Sequence, residues 1–177
     1  MQDIVRLIEE RRGKGPVTVY VSGLGGRGQT PLCEELTPEL GECVTFQTDW
    51  YMTYPSAERR ERIAAAKATE EADRIAAEEN PRHWYNWTVM QRDLRQLRSI
   101  GRVRIGDAWN QYNGRKDLDV ALRLGDALRS VILVDGIYLL HRPIRTMADI
   151  TVLLDLPAEE AFKRVGERDS HRSDPAY

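Results

Sequence analysis

The sequence predicts an α/β protein with a mostly parallel sheet flanked by helices, and three stretches predict it. Val17 to Val21 is a run of β-formers that passes through a glycine-rich turn into helical spacing at Leu32, Cys33 and Leu36. Cys43 to Phe46 is a second β-former run at the distance of a strand–helix–strand unit, which implies parallel strands and a right-handed crossover. Val131 to Val134 is a continuous apolar run, the pattern of a strand buried on both faces. With 177 residues, 41% hydrophobic and 31% charged, the chain is long enough for one full core plus a small cap, expected over about residues 55–119.

Composition narrows the function classes. A net charge of −2 gives no basic footprint for nucleic acid. The opening MQDIVRLIEERR lacks an apolar signal core and no run approaches a membrane span, so a cytoplasmic protein without a membrane partner is expected. Cys33 and Cys43 fall in or beside core elements and are expected as small buried apolar residues rather than a disulfide or metal pair. A homo-oligomer is compatible with all of this.

In chain order, Ile4, Leu7 and Ile8 make one face of a first helix, which Gly13 and Gly15 end. The first strand then runs into Gly23-Leu24-Gly25-Gly26-Arg27-Gly28-Gln29-Thr30. Against the phosphate-loop signature G-x-x-x-x-G-K-[ST], every fixed position matches except Gln29, which stands in place of lysine. The chain therefore reads as a P-loop NTPase-type fold. Its glycines let backbone N–H groups turn inward and the helix N-terminus adds a positive dipole end, a cradle for a di- or triphosphate. Gly23, Gly25, Gly26, Arg27, Gly28, Gln29 and Thr30 are the expected cofactor-binding residues, with the Thr30 hydroxyl reaching Mg²⁺. Gln29 offers a neutral donor where lysine carries a full charge, and losing one aimed donor removes on the order of 3 kcal/mol of transition-state stabilisation. Arg27 is the candidate to replace that charge.

Asp49 follows the second strand, on the side where open α/β sheets hold their ligands, and reads either as a general base or as a cap for the next helix. A long outer helix or lid is expected from Ala57 to about Glu79, its narrow apolar stripe set by Ile63, Ala64 and Ile75. Asn80-Pro81 stops it. His83, Trp84, Tyr85 and Trp87 then cluster ahead of a helix from Thr88 to Ser99, either as a stacking wall for a flat ligand or as a satellite core under the cap. Asn113-Gly114 marks a hairpin within Gly101 to Asp119, where Trp109, Tyr112, Arg115 and Lys116 are candidates for a substrate wall.

Asp135 ends the apolar run of the central strand, with Gly136 after it, at a position where Mg²⁺ or its water is held. Ile150 to Leu156 is a further strand, and Asp155 before Pro157 reads as a helix-initiating acid. The last helix, Ala158 to Glu167, carries Lys163 and Arg164 towards Arg168 and Arg172. Such cations either cover a transferring phosphoryl group or complement the helix dipole.

With the phosphate loop, Asp49-Trp50-Tyr51, Asp135-Gly136 and Arg164/Arg168/Arg172 in this order, the chain resembles the uridine kinase and phosphoribulokinase-like branch of P-loop kinases. The resemblance implies ATP-dependent phosphorylation of a hydroxyl on a small, nucleoside-like substrate, with Asp49 taking the proton from that hydroxyl. It also implies Thr30 and Asp135 on Mg²⁺, and Arg164 and Arg168 as lid arginines. Pro81 to Trp87 is similar to the family's His-Pro…Phe-Asp-Trp segment, and Trp109 to Arg115 to its sugar- and base-binding hairpin. Tyr51, His83, Trp84, Trp87, Trp109, Tyr112 and Arg115 are the substrate-binding residues it implies. Three departures from the family stand out: Gln29 replaces the loop lysine, Asn86 replaces a substrate-contacting acid, and relatives continue through a fuller lid where this chain ends. A kinase-shaped protein that binds a nucleotide or phosphorylated small molecule without phosphoryl transfer is the alternative expectation.

Overall fold

Parallel β-strands alternate with helices in the computed structural model, which describes residues 1–169. The elements are α1 (Gln2–Glu9), β1 (Val17–Gly23), α2 (Gln29–Leu40), β2 (Cys43–Gln47), α3 (Ser56–Ala68), α4 (Ala72–Glu79) and α5 (Trp87–Ile100). They continue with β3 (Arg102–Asn110), β4 (Arg115–Arg123), β5 (Val131–Gly136), β6 (Ile150–Leu154) and α6 (Ala158–Asp169). Four strands form a parallel sheet in the order β2-β5-β1-β6, and β3 pairs with β4 in a separate antiparallel hairpin. The expected strand–helix–strand unit β1-α2-β2 is present, but β5 lies between its two strands. Burial explains the insertion, because Val131 to Val134 are all solvent-excluded and only a central position hides both faces of such a strand.

Period-two alternation splits the core across the sheet. Val17, Val19, Val21, Val131 and Leu133 pack towards Ile8 of α1 and Cys33, Leu36 and Leu40 of α2. Tyr20, Phe46, Ile132 and Val134 face the other side, where Met90, Leu94 and Leu97 of α5 and Val103 and Ile105 of β3 meet them. Cys33 is buried and Cys43 partly so, both as free thiols, and burial raises Cys43 to about 11 and Cys33 higher still.

Two features differ from the sequence reading. The single helix expected from Ala57 to Glu79 is broken into α3 and α4, with Glu70 at the break in the left-handed region (φ 55°). Thr69 ends α3 by donating its hydroxyl to the Ala66 carbonyl (2.7 Å), and the two helices are then joined by Arg62–Glu78 and Lys67–Glu79 ion pairs. Asn86 has a structural use: its Oδ1 accepts from the Val89 N–H (3.2 Å) and caps α5.

Candidate active site

Parallel register brings the chemistry-bearing residues to one edge. Val21 and Gln47 flank Asp135 across β5, so the loop after β1, the turn after β2 and the end of β5 converge at the carboxyl ends of the strands. The loop turns through two left-handed glycines, Gly26 (φ 82°) and Gly28 (φ 93°). Gly28 is the N-cap of α2 with no side-chain cap, which leaves the helix N-terminus to an anion. A Cβ at Gly26 would run into the Ala161 carbonyl and the Val165 side chain, so α6 packs directly on the loop.

Thr30 Oγ1 donates to Asp135 Oδ2 at 2.7 Å. Burial, reinforced by the negative charges of Asp49 and Glu34 and opposed by the Thr30 hydrogen bond, raises the Asp135 carboxyl to about 6. Mg²⁺ takes one or two protein oxygens together with phosphate oxygens and water, and the Thr30 hydroxyl and Asp135 carboxylate fit that donor set. Gly136 has a packing reason beyond the motif, since any Cβ there would strike the side chain of buried Thr48. That approach seats the 3-10 turn Thr48–Tyr51 against the end of β5 and holds Asp49 beside Asp135.

A cavity of about 440 Å³ opens over this edge, lined by Gly25, Gly26, Gly28, Gln29, Thr30, Pro31, Gln47, Asp49, Gln111, Tyr112, Asp135, Gly136, Ile137 and Arg164. A smaller one of about 210 Å³, lined by Trp50, Trp109, Asn110 and Leu118, shares Gln47, Asp49, Gln111 and Tyr112 with it. Asp49 therefore stands where the two spaces meet. Arg164 is the one cation among the described residues lining the larger cavity, and it pairs with Glu160 at 2.5 Å on its own helix.

Several expected site residues have other partners. Gln29 does not point outward: its amide donates to the carbonyls of Gly23 (2.8 Å) and Leu24 (3.1 Å), bracing the loop from within. Arg27 does not line the cavity; its guanidinium donates to the Leu154 carbonyl (3.1 Å) and pairs with Asp155 (3.0 Å) at the end of β6. Asp155 is thus a partner of the loop rather than only a helix-initiating acid. Tyr51 is a core residue whose hydroxyl donates to buried Asp93 (3.1 Å).

The aromatic cluster of the cap joins the main core on the α5 side of the sheet, with Tyr85 and Trp87 buried in it and Trp84 packed against it. Trp84 donates its indole N–H to the Glu78 carbonyl (2.9 Å), and Trp87 donates to that of Arg82 (3.0 Å) while stacking on His141. His83 is exposed, with Nδ1 against the Ala77 carbonyl (2.8 Å). Arg115 sits exposed at the start of β4 and does not line either cavity. Trp109 and Tyr112 do line them. Arg172 and the side chain of Arg168 lie outside the described residues. Gln47, Asn110, Gln111 and Leu118 are not singled out by the sequence, and Trp50 only as part of the Asp49-Trp50-Tyr51 motif; their positions beside Asp49 and beside the Asn113-Gly114 turn are the available signal.

No family model matches the chain, and no curated protein matches it in sequence. Solved structures do. A possible uridine kinase from Bacillus stearothermophilus superposes with a TM-score of 0.67 at 16% identity, covering 98% of this chain and 94% of that one. A candidate fructose transport system kinase from Silicibacter sp. TM1040 superposes with a TM-score of 0.63 at 17% identity, covering 96% and 81%.

The fold is that of the P-loop kinases. Within it, the glycine-rich loop, the Thr30–Asp135 contact and Asp49 border one cavity, and no helix among the described residues is long and apolar enough to cross a membrane.

Proposed function

We propose that the chain is a cytoplasmic phosphotransferase that moves the terminal phosphate of ATP to a hydroxyl of a small, nucleoside-like acceptor. The observation that carries this reading is the Thr30–Asp135 contact at 2.7 Å with Asp49 on the wall of the same cavity. The glycine loop and the α2 N-terminus would hold the donor phosphates through backbone N–H groups, with Mg²⁺ supplying charge neutralisation once Thr30 and Asp135 part to receive it. Asp49 accepts the proton of the acceptor hydroxyl, and the smaller cavity beside it receives the acceptor between Trp50 and Trp109. Arg164 faces the same space from α6 and offsets charge on the transferring group.

The experiment is calorimetric titration with ATP and ADP, with and without Mg²⁺, followed by ADP release against a panel of nucleosides and sugars. Mg²⁺-dependent binding with ADP release for one acceptor supports the reading, and binding without release against every acceptor overturns it. A second reading has its own observation. Because the Gln29 amide donates to the Gly23 and Leu24 carbonyls of the loop itself, the cradle is braced without the cation that drives transfer, as in a protein that binds a nucleotide or phosphorylated small molecule for regulation or other chemistry.

A further inference from the structure

Tyr85 lies outside both cavities yet reaches their junction. Its hydroxyl donates to Asp49 Oδ1 at 3.3 Å, a length that leaves room to tighten once substrate is bound. The ring is 5% exposed and is fixed by Trp87, tilted at 5.1 Å between centroids, and by the edge of Tyr138 at 6.0 Å. Its backbone is fixed as well. Met52 and Tyr85 form an antiparallel bridge, Thr53 N–H donates to the Trp84 carbonyl (2.8 Å), and Asn86 N–H donates to the Tyr51 carbonyl (2.8 Å). The segment that follows Asp49 and the segment that carries Tyr85 are therefore one clamp. Burial and the nearby charge of Asp49 push the phenol well above its ordinary range, so it stays a neutral donor.

We propose that Tyr85 is a positioning residue for Asp49: the cap, through this phenol on Oδ1, holds the Asp49 carboxylate in one orientation towards the acceptor. A carboxylate free to rotate about its side-chain torsions would present a productive oxygen only part of the time, and a fixed donor on Oδ1 removes that freedom. The inference rests on Asp49 being the base of the reading above.

The test is Tyr85→Phe, which keeps the ring and removes the donor. The expected result is an unchanged Mg²⁺-ATP affinity, an acceptor KM within about twofold, and a kcat lower by about tenfold. In ¹³C-labelled protein the Asp49 carboxyl resonance, assigned through Asp49→Asn, should move in Tyr85→Phe. If Tyr85→Phe does not fold, Asp49→Asn reads the same contact from the other end, through the ζ-carbon resonance of Tyr85. Unmoved resonances, or a loss confined to KM, would overturn the proposal. The resonances also separate two failures: an absence of turnover in the unmodified protein counts against phosphoryl transfer, whereas an absence of coupling between the two side chains counts against Tyr85.

Discussion

The side-chain amide of Gln29 lies 2.8 Å from the carbonyl oxygen of Gly23, so the residue at the lysine position of the phosphate loop is tied to the first glycine of that loop. An ammonium has three donors and could keep this bond while aiming a charge at the phosphates. Gln29→Lys is therefore expected to raise the rate of ADP release by roughly a hundredfold, the worth of one aimed donor. Steady-state kinetics checks this, and an unchanged rate would assign Gln29 to a different chemistry.

Asp49→Asn removes the proton acceptor and leaves the loop untouched. Nucleotide affinity should stay within about twofold while kcat falls by roughly a hundredfold or more. Titration calorimetry and turnover on the same preparation decide it, and equal losses in both would remove Asp49 from the base role.

Gly26→Ala places a methyl group against the Ala161 carbonyl at a φ of 82° that side chains rarely adopt. Either the loop or α6 has to shift. A stability loss of about 1–3 kcal/mol, with weakened nucleotide binding, is expected in denaturant melts and calorimetry.

Asp135 gives a pH dependence of definite sign. Its carboxyl titrates at about 6 in the folded protein against an ordinary 3.8, so between these values the native state binds more protons than the unfolded one. Stability then falls as pH rises through that window, with no penalty below it and the full penalty above it. Asp135→Asn, which still accepts from Thr30, should be more stable than the parent by on the order of 1–3 kcal/mol near neutrality, towards the lower end because the carboxyl is only half-buried. The advantage should vanish in melts near pH 4.

Tyr51→Phe separates a core role from a substrate contact. Losing the hydroxyl that donates to buried Asp93 should cost about 1–2 kcal/mol of stability, with no change in acceptor KM. A raised KM at unchanged stability would return Tyr51 to the substrate wall.

Local backbone chemistry made much of this protein legible in its sequence. Glycine spacing gave the loop, the apolar run ending in Asp135 gave the central strand, and Asn113-Gly114 gave the hairpin turn, where Gly114 indeed has a φ of 68°. What escaped depends on where side chains turn after the backbone is placed. Asp49 and Tyr51 are two residues apart on a 3-10 turn, so they face different sides, one to the cavity and one to the core. Trp84 and Trp87 find backbone carbonyls inside the cap for their indole N–H groups, and nothing in an aromatic cluster distinguishes that from a ligand wall. For Gln29 and Arg27 the loop motif suggests donors to phosphate; their contacts with Gly23, Leu24, Leu154 and Asp155 appear only once the loop closes beside β6.

The broken helix α3–α4 carries one more consequence. Ala66 is its one fully buried apolar side chain among those described, and the two pieces are joined by the Arg62–Glu78 and Lys67–Glu79 pairs, both partly open to solvent. From α3, Arg59 reaches over the Trp84 ring at 4.5 Å. Solvent-exposed ion pairs weaken as dissolved salt rises, whereas the two-sided core of the sheet does not. Added electrolyte should thus loosen this flap long before it loosens the rest of the molecule, and amide hydrogen exchange would be fastest there. How often the flap rests on Trp84, the neighbour of Tyr85, becomes a property of the ionic strength around the protein.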